Sequence, residues 1–210
     1  MRPKRYLTAV LFALTICSSG LLINCASYSS FQTARTLPQG KVSGTAGLGY
    51  NYLGEESFVD LALRVGLEDS VDIGLKANFT NWGSTLIMGD IKKQLATQSP
   101  NFNSALGIGL SAVTADDEGV ALHFPAYFSF HSSSQKLTLY LNPRVFYYLD
   151  LRNSQERSHN NSGLGAGNSV GLKLGNRFAI MPEYSFFVGQ YNDELKVNNL
   201  FSVGLGFRVP

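Results

Sequence analysis

The side chains of this sequence best suited to proton transfer near neutral pH are its three histidines. A histidine takes part in hydrolysis when a serine or an acidic residue lies beside it. His123 falls on the polar side of a strand pattern, where Glu183 from a later strand could reach it, but no nucleophile motif surrounds either residue. His131 lies beside a predicted turn, and His159 lies in a long polar connection. We predict that the chain is not an enzyme, has no catalytic residues and uses its histidines for structural hydrogen bonds.

The sequence also lacks the spacings that hold metals or cofactors. It contains no HxxxH, CxxC or calcium-loop pattern, and Asp116-Asp117-Glu118 is a short acidic run without a full set of ligands. The glycine-rich stretch 163–167 is not followed by a helix pattern, as a nucleotide-binding loop would be. We predict neither a metal site nor a cofactor.

The charged residues show a more regular arrangement, because each of ten occupies the polar side of an alternating segment. If these segments close into a barrel of about ten strands, the charges point into a narrow lumen and pair with opposite charges. In a soluble barrel the same charges would face water. The ten predicted lumen charges are Asp60, Arg64, Asp72, Lys76, Asp90, Lys92, Arg144, Lys173, Glu183 and Arg208.

The elements that carry these charges alternate between apolar and polar residues from residue 40 onward, which is typical of strands. Short connections at 66–70, 132–134 and 175–176 alternate with long polar ones at 151–165 and 189–197, as in membrane barrels. We predict an all-β, antiparallel, up-and-down transmembrane barrel of about ten strands, with eight to twelve possible, in a single domain over residues 40–210. The predicted strands are 40–53, 57–66, 70–80, 84–96, 102–114, 119–131, 135–150, 166–175, 177–189 and 198–209.

Aromatic residues cluster near the predicted strand ends, where rings settle at a membrane interface. We prefer this girdle interpretation to a role in stacking on a ligand. The girdle residues are Tyr50, Tyr52, Trp82, Phe124, Tyr147, Tyr148, Phe186 and Phe187.

The N-terminus has the layout of a secretory signal, with a positively charged start and an apolar run too short to span a membrane comfortably. The run ends in Leu22-Ile23-Asn24-Cys25, which resembles a lipobox. Asn24 departs from the usual small residue, and relaxed versions of this kind resemble those of spirochaetal lipoproteins. The resemblance implies a signal peptide at 1–24, fatty acyl chains such as palmitate on Cys25 and a flexible tether over 25–39. Ordinary cleavage nearby would instead leave Cys25 as a free thiol.

The C-terminal strand resembles the β-signal by which the outer-membrane assembly machinery recognises its clients. Ser202, Gly204, Phe207 and Val209 supply its polar, small and hydrophobic positions. Together with the signal peptide and the long strands, this resemblance places the chain among small bacterial outer-membrane barrel lipoproteins. No specific functional family follows from these motifs.

Composition excludes several classes of function. The net charge is +2 and the mean hydropathy +0.00, so neither nucleic-acid binding nor a polybasic membrane patch is indicated. We expect a monomer in the outer membrane, lipid-anchored at its N-terminus, whose partners are membrane lipids and the barrel-assembly machinery. The expected role is structural or in surface interaction, through exposed polar loops whose partner the sequence does not identify. The alternatives are a narrow channel for small solutes and a soluble, lipid-anchored barrel that carries an apolar ligand.

Overall fold

In a computed structural model of the chain, ten strands form one closed antiparallel barrel. The structure describes residues 29–81, 83–95, 99–114, 119–151, 162–191 and 194–209. Each strand pairs with its neighbours in sequence, and β1 pairs with β10 to close the barrel. The strands are β1 (Val42–Asn51), β2 (Glu56–Glu68), β3 (Val71–Thr80), β4 (Thr85–Gln94), β5 (Phe102–Thr114), β6 (Gly119–His131), β7 (Leu137–Asp150), β8 (Ser162–Leu174), β9 (Phe178–Tyr191) and β10 (Glu194–Val209).

The predicted all-β, up-and-down barrel is confirmed, and its connections define two ends. The turn end carries the connections 69–70, 95–101, 132–136 and 175–177, together with the start of β1 and the end of β10. The loop end carries the connections 52–55, 81–84, 115–118, 151–161 and 192–193. Two strand bounds were predicted wrongly, because β8 begins at Ser162 and β10 at Glu194. The apolar alternation continues into both extensions, at Leu164 on β8 and at Leu195 and Val197 on β10, and these residues pair with β9.

The alternation along each strand separates an apolar outer face from a polar inner face. Leu61 and Leu63 on β2 are 48% and 55% exposed, whereas Asp60 and Arg64 are 1% and 7% exposed. A soluble barrel with an apolar core would have the reverse arrangement. Every strand contributes exposed apolar side chains to the outer face, among them Leu48, Leu61, Leu75, Ile91, Leu110, Phe124, Leu139, Leu172, Ile180 and Leu205. Over the described ranges, no helix is long and apolar enough to cross a membrane.

Candidate functional site in the barrel lumen

A network of four charged side chains from β2, β3 and β4 lies inside the barrel. The Arg64 guanidinium is 2.6 Å from Asp72 Oδ1 and 2.9 Å from Asp90 Oδ2. Lys92 Nζ is 3.5 Å from Asp72 Oδ2. Arg64, Gly74 and Asp90 are at one level of three paired strands, and a Cβ on Gly74 would lie 2.6 Å from Asp90 Oδ1. The missing side chain at Gly74 therefore makes room for the guanidinium.

The other predicted lumen charges also point inward. Lys76 Nζ lies 3.3 Å from Asp60 Oδ1, which also accepts a hydrogen bond from Asn78 Nδ2 at 2.8 Å. The Arg144 guanidinium carbon lies 4.2 Å from the centroid of the Phe187 ring, in cation–π geometry. Glu183 is buried, and Lys173 and Arg208 line a cavity at the turn end.

Residues 29–37, which we call the luminal segment, run inside the barrel. Glu183 of β9 accepts hydrogen bonds from the backbone N–H groups of Ser30 and Phe31, at 2.6 and 2.8 Å. Ser129 Oγ of β6 accepts one from the Ala34 N–H at 2.6 Å. The interpretation of residues 25–39 as a flexible tether is therefore wrong for the luminal segment. Its polar backbone groups find partners on the charged inner face of the barrel, and this compensates for leaving water.

Further strands hold both ends of the luminal segment. Near the turn end, Asp72 Oδ2 accepts a hydrogen bond from the Leu37 N–H at 3.0 Å, and Gln94 Oε1 accepts one from the Thr36 N–H at 3.0 Å. Deeper in the lumen, Ser29 contacts Asp60 and Lys76. The segment therefore rises from the turn end to about the middle of the barrel.

One aromatic side chain of this segment packs against the seam between β1 and β10. Phe31 is 6% exposed, and its ring lies over the paired glycines Gly47 and Gly204. A Cβ on Gly204 would lie 2.9 Å from Phe31 Cδ1. The seam can accommodate the ring only because both strands lack a side chain at this level.

Buried apolar side chains pack together in the loop-end half of the lumen. Phe58, Phe146, Phe187 and Leu200 form a buried cluster, which we call the aromatic cluster. The girdle prediction is therefore wrong for Phe187, and also for Tyr148, which packs against a second buried cluster that contains Leu86, Met88, Val113 and Ala121. Phe187 and Tyr148 fall on the inner face because each directly follows an outward-facing residue of its strand. The girdle residues that do face outward are Tyr50, Tyr52, Phe124, Tyr147 and Phe186.

His123 lies on the inner face, as predicted, and is fully buried. Its Nε2 atom is 2.7 Å from Ser111 Oγ on the neighbouring strand. Glu183, which the sequence left as a potential partner, instead binds the luminal segment. His131 makes structural hydrogen bonds to Asn103 and Thr138, at 2.7 and 2.9 Å. Within the described ranges His123 and Ser111 form the only serine–histidine contact, and no acidic side chain orients that histidine.

The residues of the C-terminal assembly motif divide between the two faces of β10. Ser202 and Gly204 are buried in the lumen, and Phe207 and Val209 are 44% and 49% exposed on the outside. Sequence reasoning missed the second role of Gly204, because the contact with Phe31 joins residues far apart in the chain. It also did not identify Ser129 and Gln94 as hydrogen-bond partners of the luminal segment, since polar inward-facing residues are common in such strands.

Two cavities lie among the residues that the structure describes in the lumen. A cavity of about 70 Å³ lies at the turn end, and one of about 20 Å³ lies beside Ser29 in the middle. No group of three or more potential metal ligands occurs among the residues that the structure describes. Cys25, Trp82, the acidic run at 116–118 and His159 lie outside the described residues, so their predicted roles stay predictions.

Comparison with known proteins shows similarity in fold only. The N-terminal β-barrel domain of Pseudomonas aeruginosa OprF is 13% identical with a TM-score of 0.42, over 82% of this chain and 100% of that one. The Yersinia pestis outer membrane protein Ail is 13% identical with a TM-score of 0.37, over 81% and 100%. A de novo designed transmembrane β-barrel is 14% identical with a TM-score of 0.41, over 83% and 99%. No known family profile and no curated protein sequence matches the chain.

Proposed function

We propose that the chain is an outer-membrane barrel lipoprotein with a sealed lumen, whose role is structural or in surface interaction. The filled lumen is the observation that carries this proposal. The luminal segment bonds to side chains of β2, β3, β4, β6, β7 and β9, and the aromatic cluster packs across the other half of the lumen. These two elements occupy the lumen at successive levels, which argues against the continuous water path that a solute channel needs.

The distribution of apolar surface supports the membrane location. A folded protein in water rarely exposes an apolar patch larger than a few hundred Å², whereas all ten strands here expose apolar side chains. The soluble-carrier alternative requires an apolar interior, yet the interior holds eight buried charged residues of the predicted lumen set. We expect bilayer lipids to cover the outer face and the assembly machinery to recognise β10. We propose a monomer that binds no nucleic acid and catalyses no reaction.

Lipidation of Cys25 is part of this proposal and constrains the position of the anchor. Four residues of extended chain reach at most about 14 Å, so an acylated Cys25 must lie within that distance of Ser29. Ser29 contacts Asp60, which is four residues from the loop-end start of β2 and eight from its turn-end finish. Ser29 therefore lies nearer the loop end than the turn end, and an acylated Cys25 can coexist with the bound luminal segment only if the four intervening residues pass the aromatic cluster.

Conductance tests the sealed lumen. Purified protein in a planar bilayer should give no steady current above background. Stable conducting steps from the wild type would contradict the proposal and favour the small-solute channel.

The anchor is tested in the double variant Ser30→Cys/Asn142→Cys. A short thiol-specific crosslinker joins the two new cysteines and holds the luminal segment in the lumen, since the native side chains are 2.6 Å apart. Mass spectrometry of the crosslinked protein should find acyl chains on Cys25. Crosslinked protein that always lacks acyl chains would show that anchor and luminal segment exclude each other.

A further inference from the structure

The cavity at the turn end is strongly basic. It lies between the luminal segment and the ends of β8, β9 and β10, and its volume is about 70 Å³. Asp72 is the one carboxylate in its lining. The basic side chains in the lining are Arg35, Arg64, Lys92, Lys173, Arg177 and Arg208.

Among the residues that the structure describes, two of these six cations have carboxylate partners and four do not. Arg64 and Lys92 pair with Asp72, and Arg64 also pairs with Asp90. Arg35 donates to the neutral Gln135 Oε1 at 3.0 Å. Across the described ranges, no carboxylate forms an ion pair with Lys173, Arg177, Arg208 or Arg35.

The strand topology gathers the unpaired cations on one side of the cavity. Lys173 is next to the last residue of β8, Arg177 lies in the following turn, and Arg208 is next to the last residue of β10. The Arg208 N–H donates to the Arg177 carbonyl oxygen at 3.0 Å, so these two residues are neighbours. Arg35 of the luminal segment also lines the cavity.

Such a group of like charges is costly in a partly buried space. Lys173 and Arg208 are only partly exposed, so each loses hydration and repels the other cations. Among the described residues, the other acidic side chains at the turn end are Glu68, the last residue of β2, and Asp69 in the β2–β3 turn. Asp69 accepts a hydrogen bond from the Gln39 N–H. A bound anion would offset this cost.

We propose that the cavity binds one phosphate-type oxyanion, held by Arg35, Lys173 and Arg208. Guanidinium groups bind phosphate through paired hydrogen bonds, and the lysine adds a point charge. A single water needs at least about 10–15 Å³ of comparable space, so a cavity of about 70 Å³ accepts a small oxyanion. The phosphate group has two sources, a free phosphate in solution and the headgroup of an anionic phospholipid in the adjoining leaflet. This site does not depend on the sealed-lumen proposal.

Calorimetry with inorganic phosphate tests the site, using the full-length protein in zwitterionic detergent at constant ionic strength. The wild type should bind one phosphate saturably. The double variant Lys173→Gln/Arg208→Gln should bind at least about ten-fold more weakly, since each 1.4 kcal/mol lost is a factor of ten. Because it removes repelling charges, this variant should also unfold no earlier than the wild type when phosphate is absent.

The matched control is Lys41→Gln/Lys136→Gln, which removes two exposed cations from the same end without touching the cavity. It should keep wild-type phosphate affinity. Failure of the wild type to bind phosphate would overturn the proposal, as would equal weakening in both double variants.

Reconstitution then assigns the source of the phosphate group. If phosphatidylglycerol added to phosphatidylcholine vesicles displaces phosphate from the wild type, the occupant is a lipid headgroup. If phosphate affinity is the same in both vesicles, the occupant is a free anion.

Discussion

The carboxylate of Glu183 accepts two hydrogen bonds from Ser30, one from the backbone N–H at 2.6 Å and one from the hydroxyl at 2.8 Å. The contact joins residues 153 positions apart and fixes the inner end of the luminal segment to β9. A charged acceptor inside the barrel makes each of these bonds stronger than a neutral one. Glu183 is therefore the residue whose change should most directly release the segment.

Glu183→Gln should loosen the luminal segment, because each hydrogen bond to a charged group contributes roughly 1.5–3 kcal/mol. Limited trypsin digestion of the folded protein should then cleave after Arg35 faster than in the wild type. Glu68→Gln is the control, since Glu68 is an exposed carboxylate at the turn end. Equal cleavage rates in all three proteins would show that Glu183 does not hold the segment.

Gly204→Ala should expel Phe31 from the seam, because the new Cβ would lie 2.9 Å from the ring. We expect faster trypsin cleavage and a lower temperature for the heat-induced shift on an unboiled gel. Gly206→Ala on the same face of β10 should change little, since its nearest atoms lie at 3.4 Å or more.

Gly204 also belongs to the predicted assembly motif, so a second variant separates the two roles. Phe31→Ala/Gly204→Ala should restore the heat-shift temperature of Phe31→Ala alone if the defect is steric. A double variant that fails to assemble would assign the effect to the motif instead.

Gly74→Ala should break the contact between Arg64 and Asp90 by placing a methyl group between them. Loss of part of a buried charged network should destabilise the barrel by roughly 1–3 kcal/mol. Chemical unfolding in detergent measures this difference. Gly89→Ala is the control, because the nearest atom to its Cβ would be 4.0 Å away. Equal stability of both variants would mean that Gly74 is not needed for the network.

The luminal segment and the aromatic cluster should each block ion flow through the lumen independently. Deleting residues 29–37 leaves the aromatic cluster, and Phe187→Ala leaves the luminal segment, so neither change alone should produce steady conductance. The combined variant should conduct in a planar bilayer. In the control variant, the deletion is combined with Phe186→Ala instead of Phe187→Ala, since Phe186 is 41% exposed on the outer face. Full conductance from the deletion alone would show that the aromatic cluster does not close the lumen.

Phe207→Asp/Val209→Asp should lower the amount of protein in the outer membrane. Both side chains point outward, and a carboxylate on the lipid face costs about 2 kcal/mol or less per site, depending on depth. Immunoblots of membrane fractions measure the change, with Lys41→Asp at the exposed rim as control. Normal membrane levels of the double variant would argue against a lipid-facing β10.

The sequence by itself predicted about ten strands and showed which residues of each strand share a face. A period of two puts alternate residues on opposite faces, so Asp72, Lys76 and Asn78 had to share one face and Ile73 and Leu75 the other. The alternation of short and long connections then supported the up-and-down arrangement typical of a membrane barrel. These features are local, and the residues that carry them are neighbours in the chain.

The tertiary structure alone decided which face is buried and what fills the lumen. Period two is equally consistent with a polar core or a polar surface, and closure of β1 on β10 put the charges inside. The luminal segment looked like a tether because it is short, polar and irregular. Its partners Glu183, Ser129 and Asn142 lie on strands far apart in the sequence, and only closure of the barrel places them around the luminal segment.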